Sequence, residues 1–183
     1  QTYSLSQTAP ASGTVITTAS NQGSLNSVTS YTTATSTIGQ SGNDSTKDYT
    51  LTQSGATTAT NYQTTSNQGL LSLATATVIE TASSLKTGNK QTGTYVLSSS
   101  GSSNATSQQK TTNQGSTAQV TSSSSGTTTG TKSGNEIRGT YTLTSSAISG
   151  GTTRETDTNQ GFTASITNTN SGTTTSTRIG NDV

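Results

Sequence analysis

The chain has 183 residues, a formal net charge of +1, and neither cysteine nor histidine. Ser and Thr supply 80 residues, while Leu, Ile, Val and Phe together supply 23, too few for a conventional globular core. This composition excludes disulfide frameworks, thiolate and imidazole catalysis and Cys/His zinc sites, and near-neutral charge without a basic cluster argues against nucleic acid as a partner.

An ordered chain of this kind needs something other than a large apolar core, and periodic backbone hydrogen bonding is the natural candidate. No apolar run approaches the ~18 residues of a membrane helix, so no membrane span is expected. The chain lacks Met and starts at Gln1, which reads as a processed end or a cut inside a longer chain.

The sequence repeats with a period of 46 residues, the signature of arrays and solenoids. Asn-Gln-Gly recurs at 21–23, 67–69, 113–115 and 159–161, and Gly-Asn at 42–43, 88–89, 134–135 and 180–181. Tyr-x-Leu recurs at Tyr3/Leu5, Tyr49/Leu51, Tyr95/Leu97 and Tyr141/Leu143. Threonine columns run Thr29, Thr75, Thr121, Thr167 and Thr35, Thr81, Thr127, Thr173. Counting from Gly-Asn, one repetitive domain spans residues 1–183. Its units are 1–41 (partial), 42–87, 88–133, 134–179 and 180–183, the start of the next. Such a chain fits a slice of a longer array, or a protomer whose tail abuts the next protomer's head.

Taken in chain order, the partial unit opens on the Tyr3 strand, turns at Pro10, the only proline, and turns again at Asn21-Gln22-Gly23. The unit 42–87 is the most apolar, with Leu70, Leu71, Leu73, Val78 and Ile79 after its Asn-Gln-Gly. In the unit 134–179 the expected strands are 139–146, 152–158, 162–170 and 173–179, separated by turns at 148–151, 159–161, 171–172 and 180–181. Thr, Tyr, Val and Ile suit a pleated sheet, and Gly and Asn supply turn conformations. No helical periodicity appears. The chain is therefore expected to be all-β, with four short strands per unit.

Apolar residues concentrate in the first and third strands of a unit, as in Tyr95 to Leu97 and then Ala118 and Val120. Two strands per coil would stack these into one sheet and leave a Thr/Ser sheet opposite. This favours a β-solenoid-like stack. An antiparallel up-and-down meander, suggested by Asn-x-Gly as a hairpin turn, and a sandwich are the alternatives. In any of them the turns recur in register, so side-chain amides at the Asn113 level are expected to bond from copy to copy. Stability would then be a sum of nearest-neighbour interfaces.

No catalytic, cofactor-binding or metal-binding residue is singled out, and no cofactor is expected. The carboxylates are scattered: Asp44, Asp48, Glu80, Glu136, Glu155, Asp157 and Asp182. Glu155 and Asp157 share one strand face beside Arg154, and read as a solvated charged edge rather than a hydrolase pair. Lys86, Lys132 and Arg178 form one column and Asp44, Lys90, Glu136 and Asp182 another, so Lys132/Glu136 and Arg178/Asp182 are expected to pair across the turn. The runs Thr127 to Thr129 and Thr173 to Thr175 raise an ice-binding face, which Thr81-Ala82-Ser83 interrupts. Dense hydroxyls offer O-glycan sites, whereas the sequons at Asn43 and Asn104 fall at different points of the unit.

The unit GNEIRGTYTLTSSAISGGTTRETDTNQGFTASITNTNSGTTTSTRIGN resembles the Thr/Ser/Gly-rich tandem repeats of very large bacterial surface proteins, such as those of planctomycetes. That resemblance implies a secreted, elongated stalk or fibre segment and carries over no catalytic residue. The sequence expectation is thus a non-enzymatic, extracellular or cell-surface structural protein. It would associate with its own copies, head to tail or laterally. A surface binding module, an adhesin shaft or an ice-binding face, is the alternative.

Overall fold

Two residue types set the architecture. Thr and Ser fill extended backbone, and Gln-Gly or four-residue segments reverse it. The computed structural model describes residues 1–181. In it the chain forms eight strands of 20 residues: β1 (Thr2–Asn21), β2 (Ser24–Asn43), β3 (Asp48–Asn67), β4 (Leu70–Asn89), β5 (Thr94–Asn113), β6 (Ser116–Asn135), β7 (Thr140–Asn159) and β8 (Phe162–Asn181). They lie in chain order in a single sheet, and every neighbouring pair is antiparallel. At 3.2–3.4 Å per residue each strand is roughly 65 Å long, and eight strands at ~4.8 Å make a sheet roughly 38 Å wide.

The 46-residue period now has a physical meaning. One unit is a pair of 20-residue strands, one two-residue turn and one four-residue turn. The two-residue turns are Gln-Gly, with Gln22, Gln68, Gln114 and Gln160 at φ 43–47° and the following glycines at φ 85–91°. Two positive φ angles in succession define the type I′ turn, whose twist matches that of a hairpin. The four-residue turns follow Asn43, Asn89 and Asn135, and each ends on a left-handed residue: Lys47, Gly93 and Gly139, at φ 62°, 71° and 67°.

The all-β class and the antiparallel meander are as the turn chemistry suggests, but the preferred solenoid and its four short strands per unit are not found. Among the described residues only one sheet is present, and each unit holds two long strands. The reason lies in the glycines taken as punctuation. Gly150, Gly151 and Gly172 sit inside β7 and β8 and are not among the left-handed residues, so they extend the strand. A Cβ on Gly151 would meet Ser123 O at 3.1 Å and Asn170 Oδ1 at 3.0 Å. Here glycine answers a close approach, not a turn. Pro10 also lies within a strand, β1, which is an edge strand and so tolerates a residue without an N–H.

Strand alternation divides the side chains between two faces. One carries Tyr3, Leu5 and their pairing partners and is called the tyrosine face. The other carries Thr8, Thr37 and theirs and is called the hydroxyl face. Apolar side chains are spread over both, and Tyr141, 8% exposed, is the one buried hydrophobic residue among those described. The fold therefore has no enclosed core. Backbone ladders and cross-strand pairs hold it.

Candidate functional site

Chemistry concentrates where the long turns meet the tyrosine face. The register sets tyrosine against glycine across the whole sheet: Tyr3, Gly42, Tyr49, Gly88, Tyr95, Gly134, Tyr141, Gly180. The rings of Tyr3, Tyr49 and Tyr141 need the absent Cβ, while at Gly134 it is the backbone of Thr140 that comes close. A Cβ on Gly42 would lie 2.6 Å from Tyr3 Oη, one on Gly88 2.7 Å from Tyr49 Oη, and one on Gly180 2.6 Å from Tyr141 Oη. An aromatic ring over a strand glycine covers backbone that would otherwise be bare.

Two residues further along each strand, leucine alternates with a polar or cationic residue: Leu51 lies beside Lys86, Leu97 beside Lys132 and Leu143 beside Arg178. The Lys86 Nζ sits 4.9 Å from the Tyr95 ring centroid and 5.7 Å from that of Tyr49. Lys132 Nζ lies 4.1 Å from the Tyr141 centroid, with Arg178 Cζ at 6.0 Å. In the first unit Gln40 replaces the cation and donates to Tyr3 Oη at 3.5 Å.

Lys86 pairs with Glu136 at 2.5 Å. This differs from the expected Lys132/Glu136 pair: Glu136 stands in the turn after β6 and reaches back to β4, one unit earlier. The register explains it, because Lys86 and Lys132 share one row and Glu136 serves the unit behind it. The hydrogen bond to Glu136 is the main reason that Lys86 holds its proton above the ordinary 10.5. The expected Arg178/Asp182 pair falls on Asp182, which lies outside the described residues.

The long turns are laced to each other. Asn89 Oδ1 accepts from the N–H groups of Gln91 and Thr92 at 2.9 and 3.0 Å. Its amide donates to Thr46 O in the preceding turn at 2.8 Å and to Asp48 Oδ1 at 2.7 Å. Asn135 repeats this, accepting from Ile137 N and Arg138 N and donating to Thr92 O at 2.8 Å. Backbone bonds run alongside: Asp44 N to Gln1 O, Lys90 N to Lys47 O and Glu136 N to Gly93 O, at 2.7–2.9 Å. The Asn89 amide is also the first cause of a carboxyl at Asp48 that ionises below its ordinary 3.8, with Thr46 second.

A copy-to-copy asparagine ladder therefore exists, but at the Gly-Asn column and not at the Asn113 level. Among the described residues the Asn21, Asn67, Asn113 and Asn159 side chains form no such bonds. A two-residue turn closes too tightly to reach its neighbour, whereas a four-residue turn presents a carbonyl to the next asparagine.

The hydroxyl face carries an unbroken row across all eight strands: Thr8, Thr37, Ser54, Ser83, Ser100, Thr129, Ser146 and Thr175. Thr81-Ala82-Ser83 does not interrupt it, because Ala82 points to the opposite face. Thr81 bonds Ser102, and Ser83 bonds Ser100, both at 2.8 Å. On the tyrosine face an open trough crosses the strand middles, lined by Ala76, Val78, Ala105, Ser124, Gly151 and Asn170.

Glu155 and Asp157 are on β7, opposite Val120 and Ala118. They lie inside the sheet, so the expected charged edge is a charged patch on the tyrosine face. Among the described residues no group of three or more acidic side chains forms a metal cluster, and no helix is long and apolar enough to cross a membrane. Sequence reading missed the tyrosine–glycine opposition. Its signal was present, since Gly42, Gly88 and Gly134 of Gly-Asn each precede a tyrosine by seven residues, namely Tyr49, Tyr95 and Tyr141.

No protein-family model matches the chain, and no curated protein matches it in sequence. Among solved structures, the ferric yersiniabactin uptake receptor FyuA of Yersinia pestis superposes with a TM-score of 0.51 at 10% identity, covering 87% of this chain and 27% of that one. The unliganded ferric citrate transporter FecA gives a TM-score of 0.35 at 7% identity, over 80% of this chain and 24% of that one. A major outer membrane protein of Thermus thermophilus gives 0.31 at 9% identity, over 87% and 84%. The likeness to FyuA is one of fold, and this chain spans about a quarter of FyuA's length.

Proposed function

We propose that the chain is a non-catalytic structural element of the cell surface or extracellular space. It would be a repeat segment of a fibre or stalk that lengthens by adding hairpins side by side. The observation that carries this is the constancy of the junction between units. Gly42 faces Tyr49, Gly88 faces Tyr95 and Gly134 faces Tyr141 through the β2–β3, β4–β5 and β6–β7 pairings, and a four-residue turn closes each junction. A unit placed anywhere in such a sheet makes the same contacts with its neighbours, so stability adds unit by unit. The dispersed carboxylates and exposed faces suit a scaffold better than a reaction cavity, and the exposed Ser and Thr offer O-glycan attachment.

The test is self-association. Purified protein followed by sedimentation and negative-stain electron microscopy is expected to give elongated particles of increasing length. Compact monomers at all concentrations would contradict the reading.

A second reading, a surface-binding module, is favoured by the hydroxyl row. Retention on ice or a glycan array that is lost on replacing Ser83, Ser100 and Thr129 with Val would promote it.

A further inference from the structure

The outer strands β1 and β8 each pair on one side only, and an antiparallel strand directs the N–H and C=O of alternate residues to alternate sides. The Asp44 N to Gln1 O bond extends the β1–β2 ladder by one pair, so odd-numbered residues of β1 bond β2. Two-residue hairpins close on a hydrogen-bonded pair, here Asn21 with Ser24, which gives the same parity. The backbone of Thr2, Ser4, Ser6, Thr8 and each following even residue therefore faces the open edge. On β8 the closing pair is Asn159 with Phe162, so even residues bond β7, and Asn181, Ile179, Thr177, Thr175 and each preceding odd residue face outward.

We propose that the outer edge of β8 pairs antiparallel with the outer edge of β1 of a second copy, with Asn181 opposite Thr2. This rests on the fibre reading and specifies its joint. Every outward backbone group of β8 then meets an outward group of β1. The relation is that of Asn135 to Thr140 at the β6–β7 junction, so the joint continues an interface the molecule already uses three times. The side-chain rows continue with it. Gly180 meets Tyr3 as Gly134 meets Tyr141, Arg178 meets Leu5 as Lys132 meets Leu143, and Thr175 extends the hydroxyl row to Thr8.

The edges are also poorly guarded against such pairing. Natural edge strands carry charges, prolines or bulges that prevent it. Here β1 has no charged residue, β8 has only Arg178, and neither pairing contains a bulge. Pro10 is the one guard. It stands at an outward position of β1, opposite Thr173 in the proposed joint, and withholds one N–H from it. A symmetric β1–β1 joint that pairs the strands over their full length would lose two such donors and would bring no glycine to Tyr3, which sets the heterologous joint above it.

The chain contains no cysteine, so disulfide trapping reads the register directly. Gln7 and Ser176 are exposed and would face each other across the joint on the tyrosine face. Within one molecule they lie seven strands apart, roughly 34 Å, beyond any disulfide. Oxidised Gln7→Cys/Ser176→Cys protein is expected to give a ladder of covalent multimers at least five-fold stronger than Gln7→Cys/Thr174→Cys, which is slipped by two residues. Filaments that yield no ladder, or a stronger one from the slipped pair, overturn the joint and leave the fibre reading standing. Dimers from Gln7→Cys alone indicate β1–β1 pairing and also overturn it. A protein that stays monomeric by sedimentation under all conditions sinks the joint and the fibre reading together.

Discussion

At the scale of single residues, the glycines divide by what stands above them. Gly134 is the tightest of the tyrosine row: an added Cβ would collide with Thr140 O and lie 3.0 Å from Tyr141 Cβ. The first of these is backbone and cannot step aside without moving β7. Overpacking of this kind costs about 1–3 kcal/mol, so Gly134→Ala is expected to lower stability by about that amount in chemical denaturation. Gly13 has nothing within 4 Å of an added Cβ and lies in extended backbone. Gly13→Ala should change stability by less than about 0.5 kcal/mol, or raise it, because alanine reduces the freedom of the unfolded chain. Equal effects at the two positions would mean that β7 does not approach Gly134 as closely as described. The cations beside the tyrosines contribute less, about 0.5–1 kcal/mol for an exposed cation over a ring. The exposed Lys86–Glu136 pair is worth about 0–1 kcal/mol.

At the scale of the turn and the hairpin, the two ends of the sheet are unequal. Asn135 organises its own turn and ties it to the previous one through Thr92 O, whereas Asn113 has no side-chain bond of this kind among the described residues. Asn135→Ala removes three hydrogen bonds, each worth about 0.5–1.5 kcal/mol net, and water replaces part of the loss at an exposed turn. A loss of about 1–2 kcal/mol is expected for Asn135→Ala, against a few tenths for Asn113→Ala, read from denaturant midpoints at unchanged slope. The same lacing makes stability depend on pH. The folded Asp48 carboxyl ionises below its ordinary 3.8 because the Asn89 amide donates to it. Its contribution is present above that value and is lost as pH falls through the lower folded value. Lys86, with its proton held above 10.5 chiefly by Glu136, contributes fully below 10.5 and loses that contribution as pH rises through the raised value. Thermal stability below about pH 4 is therefore expected to fall less steeply in Asp48→Asn than in the parent. Parallel curves would show that the Asn89 contact does not bind the carboxylate.

The hairpin scale also shows what was legible in the sequence. Asn-Gln-Gly announced its turns because two left-handed positions in succession admit few residues. The strict period announced identical interfaces. Strand length was not legible, since Gly150, Gly151 and Gly172 carry the same letter in an extended strand as in a turn, and only the neighbouring strand decides between them. Nor was the partner of Glu136 legible: its ion pair spans 50 residues, set by the register of β4, β5 and β6. The asparagine ladder was foreseen as a kind of bond and misplaced by column, because turn width, which decides whether an amide reaches the next turn, follows from register.

At the scale of the whole molecule, a single sheet without an enclosed core is stable only as far as its neighbour contacts repeat. β1 and β8 carry the same rows of side chains as the interior strands but have only one partner each. That is the physical ground for the proposed sideways growth, in which strands would lie across the long axis of the assembly. The most direct measurement is X-ray fibre diffraction, or helical reconstruction by cryo-electron microscopy, of the assembled protein. The account predicts an axial spacing of about 4.8 Å between strands and an advance of roughly 38 Å per eight-stranded copy. Strands running along the fibre axis, or an assembly without the ~4.8 Å axial spacing, would contradict it.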